Sequence, residues 1–318
     1  MTTSDPTHEI HITRSYDAPV ARVWEAWTDL AQLAQWWGPR GFSITTTAKD
    51  LRPGGTWEYT MHGPDGTNWP NFTRYHEVVE RQRLVYDHGA SSADAKPMFC
   101  VTVEFRDRSG ATELEIRMRF ATAEELEQSR AIIKTASGNS TWDRLGEFVA
   151  HEVTAKEIFL INRSVEAPIE TMFEMWSNPE QVARWTPPTG FTMAFARADI
   201  RAGGASFYSM TNGQFTMYGR AEYFEIRRPD LLRYAQSFAD QDGNLSRHPM
   251  APVWPEKMLT TVTLTAERAT QTRVTIQWEP FGAATPEEIA AFAAAREGMT
   301  MGWTGSLDKL EEAIAARA

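Results

Sequence analysis

Ser15-Tyr16-Asp17-Ala18-Pro19-Val20 returns later in the chain as Ser164-Val165-Glu166-Ala167-Pro168-Ile169, and this echo decides the fold. The two alanines stand 167 − 18 = 149 residues apart. The same offset carries Trp27 to Trp176, Trp36 to Trp185 and Gly41-Phe42 to Gly190-Phe191. It also carries Asp50-Leu51-Arg52-Pro53-Gly54-Gly55 to Asp199-Ile200-Arg201-Ala202-Gly203-Gly204, and Tyr59 to Tyr208. The register then drifts, as loop insertions require. It recovers at the far end, where Thr141-Trp142-Asp143-Arg144-Leu145 parallels Ser306-Leu307-Asp308-Lys309-Leu310, now 306 − 141 = 165 apart. A repeat of this length is one domain written twice. The expected division is 1–152 and 153–318, with no Gly/Pro-rich linker between.

Each copy opens on a strand, since Glu9 to Arg14 alternates apolar and polar residues. Pro19 and Pro168 suit the first turn of a helix, and Asp29 and Asn178 suit the N-cap of a second. Strands are expected over Thr56–Met61, Val78–Tyr86, Met98–Phe105 and Glu113–Phe120, with counterparts running to Trp278. Thr122-Ala123-Glu124-Glu125 and Thr285-Pro286-Glu287-Glu288 read as matching capping boxes. In the second copy Met299, Trp303, Leu307, Leu310 and Ile314 form one apolar helix face. Strand, two short helices, several antiparallel strands and a long helix make an α+β domain.

This order, with Ala18-Pro19, Val23-Trp24, Trp27, Trp36-Trp37-Gly38-Pro39 and Asp50 to Gly55, resembles the heat-shock-protein-90-ATPase-activator-like branch of the SRPBCC/START helix-grip superfamily. The tail Gly302-Trp303-Thr304-Gly305-Ser306-Leu307 resembles its closing helix. The resemblance implies a curved antiparallel sheet wrapped around a long C-terminal helix, with an apolar cavity between them. The second copy departs from the pattern at the double tryptophan, reading Arg184-Trp185-Thr186-Pro187-Pro188. The superfamily includes lipid and hormone binders, cyclases and chaperone-regulating modules, so its fold leaves the function open.

Composition narrows the function classes. The formal net charge of −10 argues against a broad nucleic-acid footprint. One cysteine, Cys100, cannot form an intramolecular disulfide, which points to a reducing, cytoplasmic setting. The polar N-terminus does not read as a signal peptide, and no apolar run is long enough for a membrane span. The histidines do not stand at metal-ligand spacing, and nucleotide and serine-nucleophile motifs are missing, so neither metal nor cofactor is expected. The Asp50/Arg52 and Asp199/Arg201 pairs read as ion pairs that fix a turn.

The informative feature is the supply of 12 Trp and 13 Met. Such side chains adapt to apolar ligands. The candidate lining of the first copy is Trp36, Phe42, Trp57, Tyr59, Met61, Val103, Ile116, Met118, Ile133 and Gly138. In the second copy it is Trp185, Phe191, Tyr208, Met210, Ile276, Trp278, Met299 and Trp303. On the closing helix Trp303 aligns with Gly138, and Met299 with Lys134. This contrast predicts an open, partly polar pocket in the first copy and a filled one in the second. The segment Ser237 to Lys257 is long enough to serve as a lid or a brace.

The reading is a non-enzymatic binding protein for a small apolar or amphipathic molecule. A chaperone is the alternative partner that the resemblance implies. A cavity enzyme using His62, His76 or Tyr59 is a third reading, without a catalytic partner at useful spacing.

Overall fold

The structure is a computed structural model that describes residues 8–135 and 140–317, with the backbone alone at 132–135. The chain divides into two compact units, Met1–Ala155 and Lys156–Ala318.

In the first unit β1 (Glu9–Tyr16) leads to α1 (Val20–Thr28) and α2 (Leu30–Trp36). The strands β2 (Ser43–Lys49), β3 (Thr56–His62), β4 (Asn68–Val79), β5 (Arg83–Ala90), β6 (Phe99–Arg108) and β7 (Ala111–Arg119) follow. Helices α3 (Ala123–Thr135) and α4 (Ser140–Thr154) close it. The sheet is antiparallel with seven strands in the order β1-β7-β6-β5-β4-β3-β2. The first strand therefore lies beside the last, and a meander fills the rest.

The second unit repeats this plan. It contains β8 (Phe159–Val165), α5 (Ile169–Ser177), α6 (Pro179–Trp185), β9 (Thr192–Arg197), β10 (Ala205–Thr211), β11 (Thr216–Arg227) and β12 (Leu231–Ala239). Then come β13 (Leu245–Ser246), β14 (Lys257–Arg268), β15 (Gln271–Pro280), α7 (Pro286–Ala294) and α8 (Arg296–Ala315). Its order is β8-β15-β14-β12-β11-β10-β9, with β13 added beside β12. Each unit is thus the expected α+β helix-grip domain.

Local chemistry explains the helix ends. Asp29 accepts from the Gln32 amide at 2.9 Å and Asn178 from Glu180 at 2.9 Å, so both are the expected N-caps. Pro19 and Pro168 fall one position earlier than expected, on the N-caps of α1 and α5, where their extended backbone starts the turn. The Thr285/Glu288 capping box is complete. Its first-copy counterpart is half formed: Thr122 accepts from the Glu125 amide, but the Glu125 carboxylate takes the Ala121 amide instead.

Two tertiary hydrogen bonds recur in both domains. Trp36 Nε1 donates to Ala26 O at 2.9 Å, and Trp185 Nε1 donates to Met175 O at 2.9 Å. Each satisfies a last-turn carbonyl of the preceding helix, which has no partner inside that helix. Thr112 Oγ1 donates to Ala18 O at 2.7 Å, and Thr272 Oγ1 to Ala167 O at 2.8 Å. These bonds tie the Ala-Pro corner to β7 and β15. The Gly54-Gly55 and Gly203-Gly204 turns have an equally plain reason. A Cβ on Gly55 would meet Asp50 O at 2.1 Å, and one on Gly204 would meet Asp199 O at 2.2 Å. Asp50/Arg52 and Asp199/Arg201 are exposed ion pairs at 2.8 Å on these turns.

The first domain packs its aromatic residues face to edge. Trp37 meets Trp27, Trp36 and Trp57 within 5.1–5.7 Å, and its Nε1 donates to Tyr59 OH at 3.1 Å. Trp57 stacks on Tyr59 at 4.0 Å, while Trp142 of α4 stacks on Trp27 at 5.7 Å. Trp36, Val103 and Ile116 are fully buried in this core, and Met118 nearly so. His88 joins the cluster against Trp37, Tyr86 and Phe99. Desolvation there lowers its pKa from 6.5 to about 4.

Two measurements follow from this packing. Trp36→Phe and Trp185→Phe each remove a buried donor, and each is expected to lower stability by about 1–3 kcal/mol in urea unfolding. His88 is neutral in the fold and protonates more readily when unfolded. Its contribution is therefore present above pH 6.5 and lost as pH falls toward about 4. His88→Phe should flatten the loss of stability across that window, read from urea midpoints at stepped pH.

A candidate ligand cavity in the second domain

Trp37 of the first domain corresponds to Thr186 in the second, one residue past the matched Trp36 and Trp185. Trp57 corresponds to Ser206. Two indoles that fill the first core are thus replaced by two hydroxyls. Thr186 lies in the wall of a cavity of about 610 Å³ enclosed by the second sheet, α8 and the segment between β12 and β14. Ser206 is buried, and its Oγ accepts from Tyr223 OH at 3.2 Å.

The sheet supplies Tyr208 and Met210 from β10, Met217, Tyr218 and Gly219 from β11, and Tyr234, Gln236, Ser237 and Phe238 from β12. Met258 and Trp278 come from β14 and β15. Tyr208 can turn flat over β11 because its neighbour is Gly219: a Cβ there would lie 2.3 Å from the ring. Burial pushes the Tyr208 phenol up to about 12, so it stays protonated in any physiological range.

Helix α8 supplies Gly298, Met299, Gly302, Trp303 and Ser306. Trp303 stacks on Trp176 at 6.0 Å and meets Trp278 edge-on at 5.3 Å. Trp176 is the counterpart of Trp27, so the same indole platform is used in both domains. In the first domain the stacking partner, Trp142, comes from one turn further along the helix. The expectation that Trp303 fills the second pocket is therefore corrected. Held between Trp176 and Trp278, its ring forms part of the wall and leaves the space beside it open. The indole nitrogens of Trp176, Trp278 and Trp303 are buried and have no hydrogen-bond partner among the described residues.

The segment between β12 and β14 completes the enclosure with His248, Ala251, Trp254, Pro255 and Glu256. Arg247 holds it in place, donating to Trp254 O at 3.2 Å and to Glu288, the capping-box residue of α7. Of the two roles open to this segment in the sequence, the structure shows it covering the second-domain cavity.

Of the expected lining residues, Tyr208, Met210, Trp278, Met299 and Trp303 come together in this wall. Trp185 and Ile276 are fully buried in the core, and Phe191 is half-buried away from the lining. In the first domain Trp57 and Tyr59 are packed core, Met61 packs against it, and Phe42 pairs with Trp69 at 5.6 Å. The Ile133 side chain and Gly138 lie outside the described residues, as does the predicted opening at Gly138. Sequence reasoning missed Tyr234, Gln236, His248 and the glycines. Tyr234 was within reach, since it repeats Tyr86 in a matched strand.

Among the described residues no cluster of three or more His, Cys, Asp or Glu is placed to hold a metal ion. No described helix is long and apolar enough to cross a membrane.

The family model for Activator of Hsp90 ATPase homolog 1-like protein matches residues 17–150 and again residues 166–315. Among solved structures, a protein from Nitrosomonas europaea is 25% identical, covering 47% of this chain and 98% of its own, with a TM-score of 0.43. One from Arthrobacter aurescens is 26% identical, covering 45% of this chain and 87% of its own, with a TM-score of 0.41. The di-domain ARO/CYC protein BexL of the BE-7585A biosynthetic pathway is 12% identical, covering 96% of this chain and 97% of its own, with a TM-score of 0.38. No curated protein matches the chain.

The fit of Tyr208 over Gly219 can be tested directly. Gly219→Ala should displace the ring and lower stability by about 1–3 kcal/mol in urea unfolding. In Tyr208→Ala, the further addition of Gly219→Ala should cost much less, and a double-mutant cycle measures the difference.

Proposed function

From the premise that the chain belongs to the activator of Hsp90 ATPase homolog 1-like family, with the family domain present twice, we propose that the protein binds a small apolar or amphipathic molecule in its second domain. The observation that carries this reading is the cavity of about 610 Å³ between the sheet and α8. That size suits a drug-sized molecule. The wall is made largely of aromatic rings and thioethers, with a few neutral polar groups and one carboxylate, Glu256, the usual composition of a small-molecule site.

At the equivalent position of the first domain Trp37 lies in the aromatic core, where Thr186 lines the cavity of the second. No step of chemistry is assigned. The wall offers Tyr208, His248 and Glu256, but no hydrogen bond or ion pair joins these three to one another among the described residues. A chaperone-regulating role rests on the family description alone, and stimulation of a chaperone ATPase by the purified protein is its test.

Native mass spectrometry of the freshly purified full chain should show a non-covalent adduct that denaturation releases. Thr186→Trp restores the tryptophan doublet as Trp185 followed by an indole, and should empty the protein while preserving its circular dichroism. An adduct that persists in Thr186→Trp would refute the assignment to this cavity.

A further inference from the structure

The cavity wall carries a charge pattern that sorts its ligands. Its lining includes no Lys or Arg among the described residues, and its one carboxylate, Glu256, is exposed at the mouth. Arg247, next to the lining residue His248, is already engaged by Glu288 and approaches Glu256 at 3.9 Å. Lys257 approaches Glu222 at 3.8 Å, and Arg220 donates to Gly243 O at 3.1 Å. None of these bases is left to receive an anion inside the wall.

The polar groups that do line it are neutral. Gln236 makes no side-chain hydrogen bond among the described residues, so its amide offers both a donor and an acceptor. The His248 ring packs on Phe238 at 4.5 Å, and its Nδ1 accepts from the Met250 amide at 3.0 Å. A neutral ring whose Nδ1 accepts must carry its proton on Nε2, which leaves a donor. Burial lowers the His248 pKa and so favours the neutral ring.

The helix side of the wall is bare. Gly298 and Gly302 stand one turn apart on α8, and a Cβ at either would meet nothing within 4 Å. Glycine inside a helix is less stable than alanine by about 0.5–1 kcal/mol. Here it leaves room for a ring to lie against the helix backbone, facing the aromatic side chains of the sheet.

Resting on the binding role proposed above, we infer that the cavity selects uncharged, ring-bearing molecules with a hydrogen-bonding group directed at Gln236 and His248, and rejects carboxylates and phosphates. A buried anion needs a paired base or several donors, and without them its desolvation outweighs the apolar contact.

Pyrenemethanol and pyrenecarboxylate share one ring system and differ in charge near neutral pH. Energy transfer from the wall tryptophans to pyrene reports binding of each to the full chain. Pyrenemethanol is expected to bind, and pyrenecarboxylate at least about tenfold more weakly. Gln236→Arg supplies the missing base and should bring the carboxylate to within about threefold of the alcohol. Gly302→Leu should abolish binding of the alcohol, and Gly302→Ala, which adds one methyl without loosening α8, should weaken it, so that the effect is read even where the larger side chain unsettles the helix. Equal binding of both probes, lost together in the Gly302 variants, would overturn the selection rule and leave the binding role standing. No binding of either probe, or binding indifferent to Gly302 and Gln236, would overturn both.

Discussion

A single bond type organises each domain: an indole N–H donating to the last-turn carbonyl of the helix before it. Trp36 with Ala26, and Trp185 with Met175, make it at the same length and across the same sequence separation. It folds the two short helices into an elbow and buries the indole completely. The following residue is thereby delivered to one fixed place over the sheet. In the first domain that residue is Trp37, which reaches Tyr59, Trp57 and His88. In the second it is Thr186, and the cavity begins there. The elbow is constant, and what it presents differs: an indole in the aromatic core of the first domain, a hydroxyl in the cavity wall of the second.

The fold was legible because it is written twice. Ala18-Pro19, Trp27, Trp36 and the Gly54-Gly55 turn each have a second copy, and each has a physical reason to be kept. The carbonyl of Ala18 or Ala167 receives a threonine, and the glycines stand where a Cβ would strike a backbone oxygen. The strand pattern and the apolar face of α8 were equally plain, since Leu307 and Leu310 are fully buried.

The cavity was only partly legible. The sequence shows the lost double tryptophan at Thr186, but Trp303 is the larger contrast between the copies, and its size suggests a plug. A side chain's volume does not say where it lies. Trp303 is held against Trp176 and Trp278, so its bulk becomes wall. The lid residues His248 and Trp254 lie in an irregular segment without periodicity. Their approach to the cavity depends on the short β13 hairpin on β12 and on Arg247 reaching Glu288, 41 residues further along the chain.

Met210, Met217, Met258 and Met299 give the wall a further property. Their side chains are unbranched and turn about several bonds, so they can refit around molecules of different outline. Aromatic rings and a bare helix face cannot change their electrostatic character in the same way. The cavity is thus lenient about shape and strict about charge. In the binding role proposed above, a site of this kind would recognise a chemical class rather than one compound, and its occupant would be set by which members of that class are abundant.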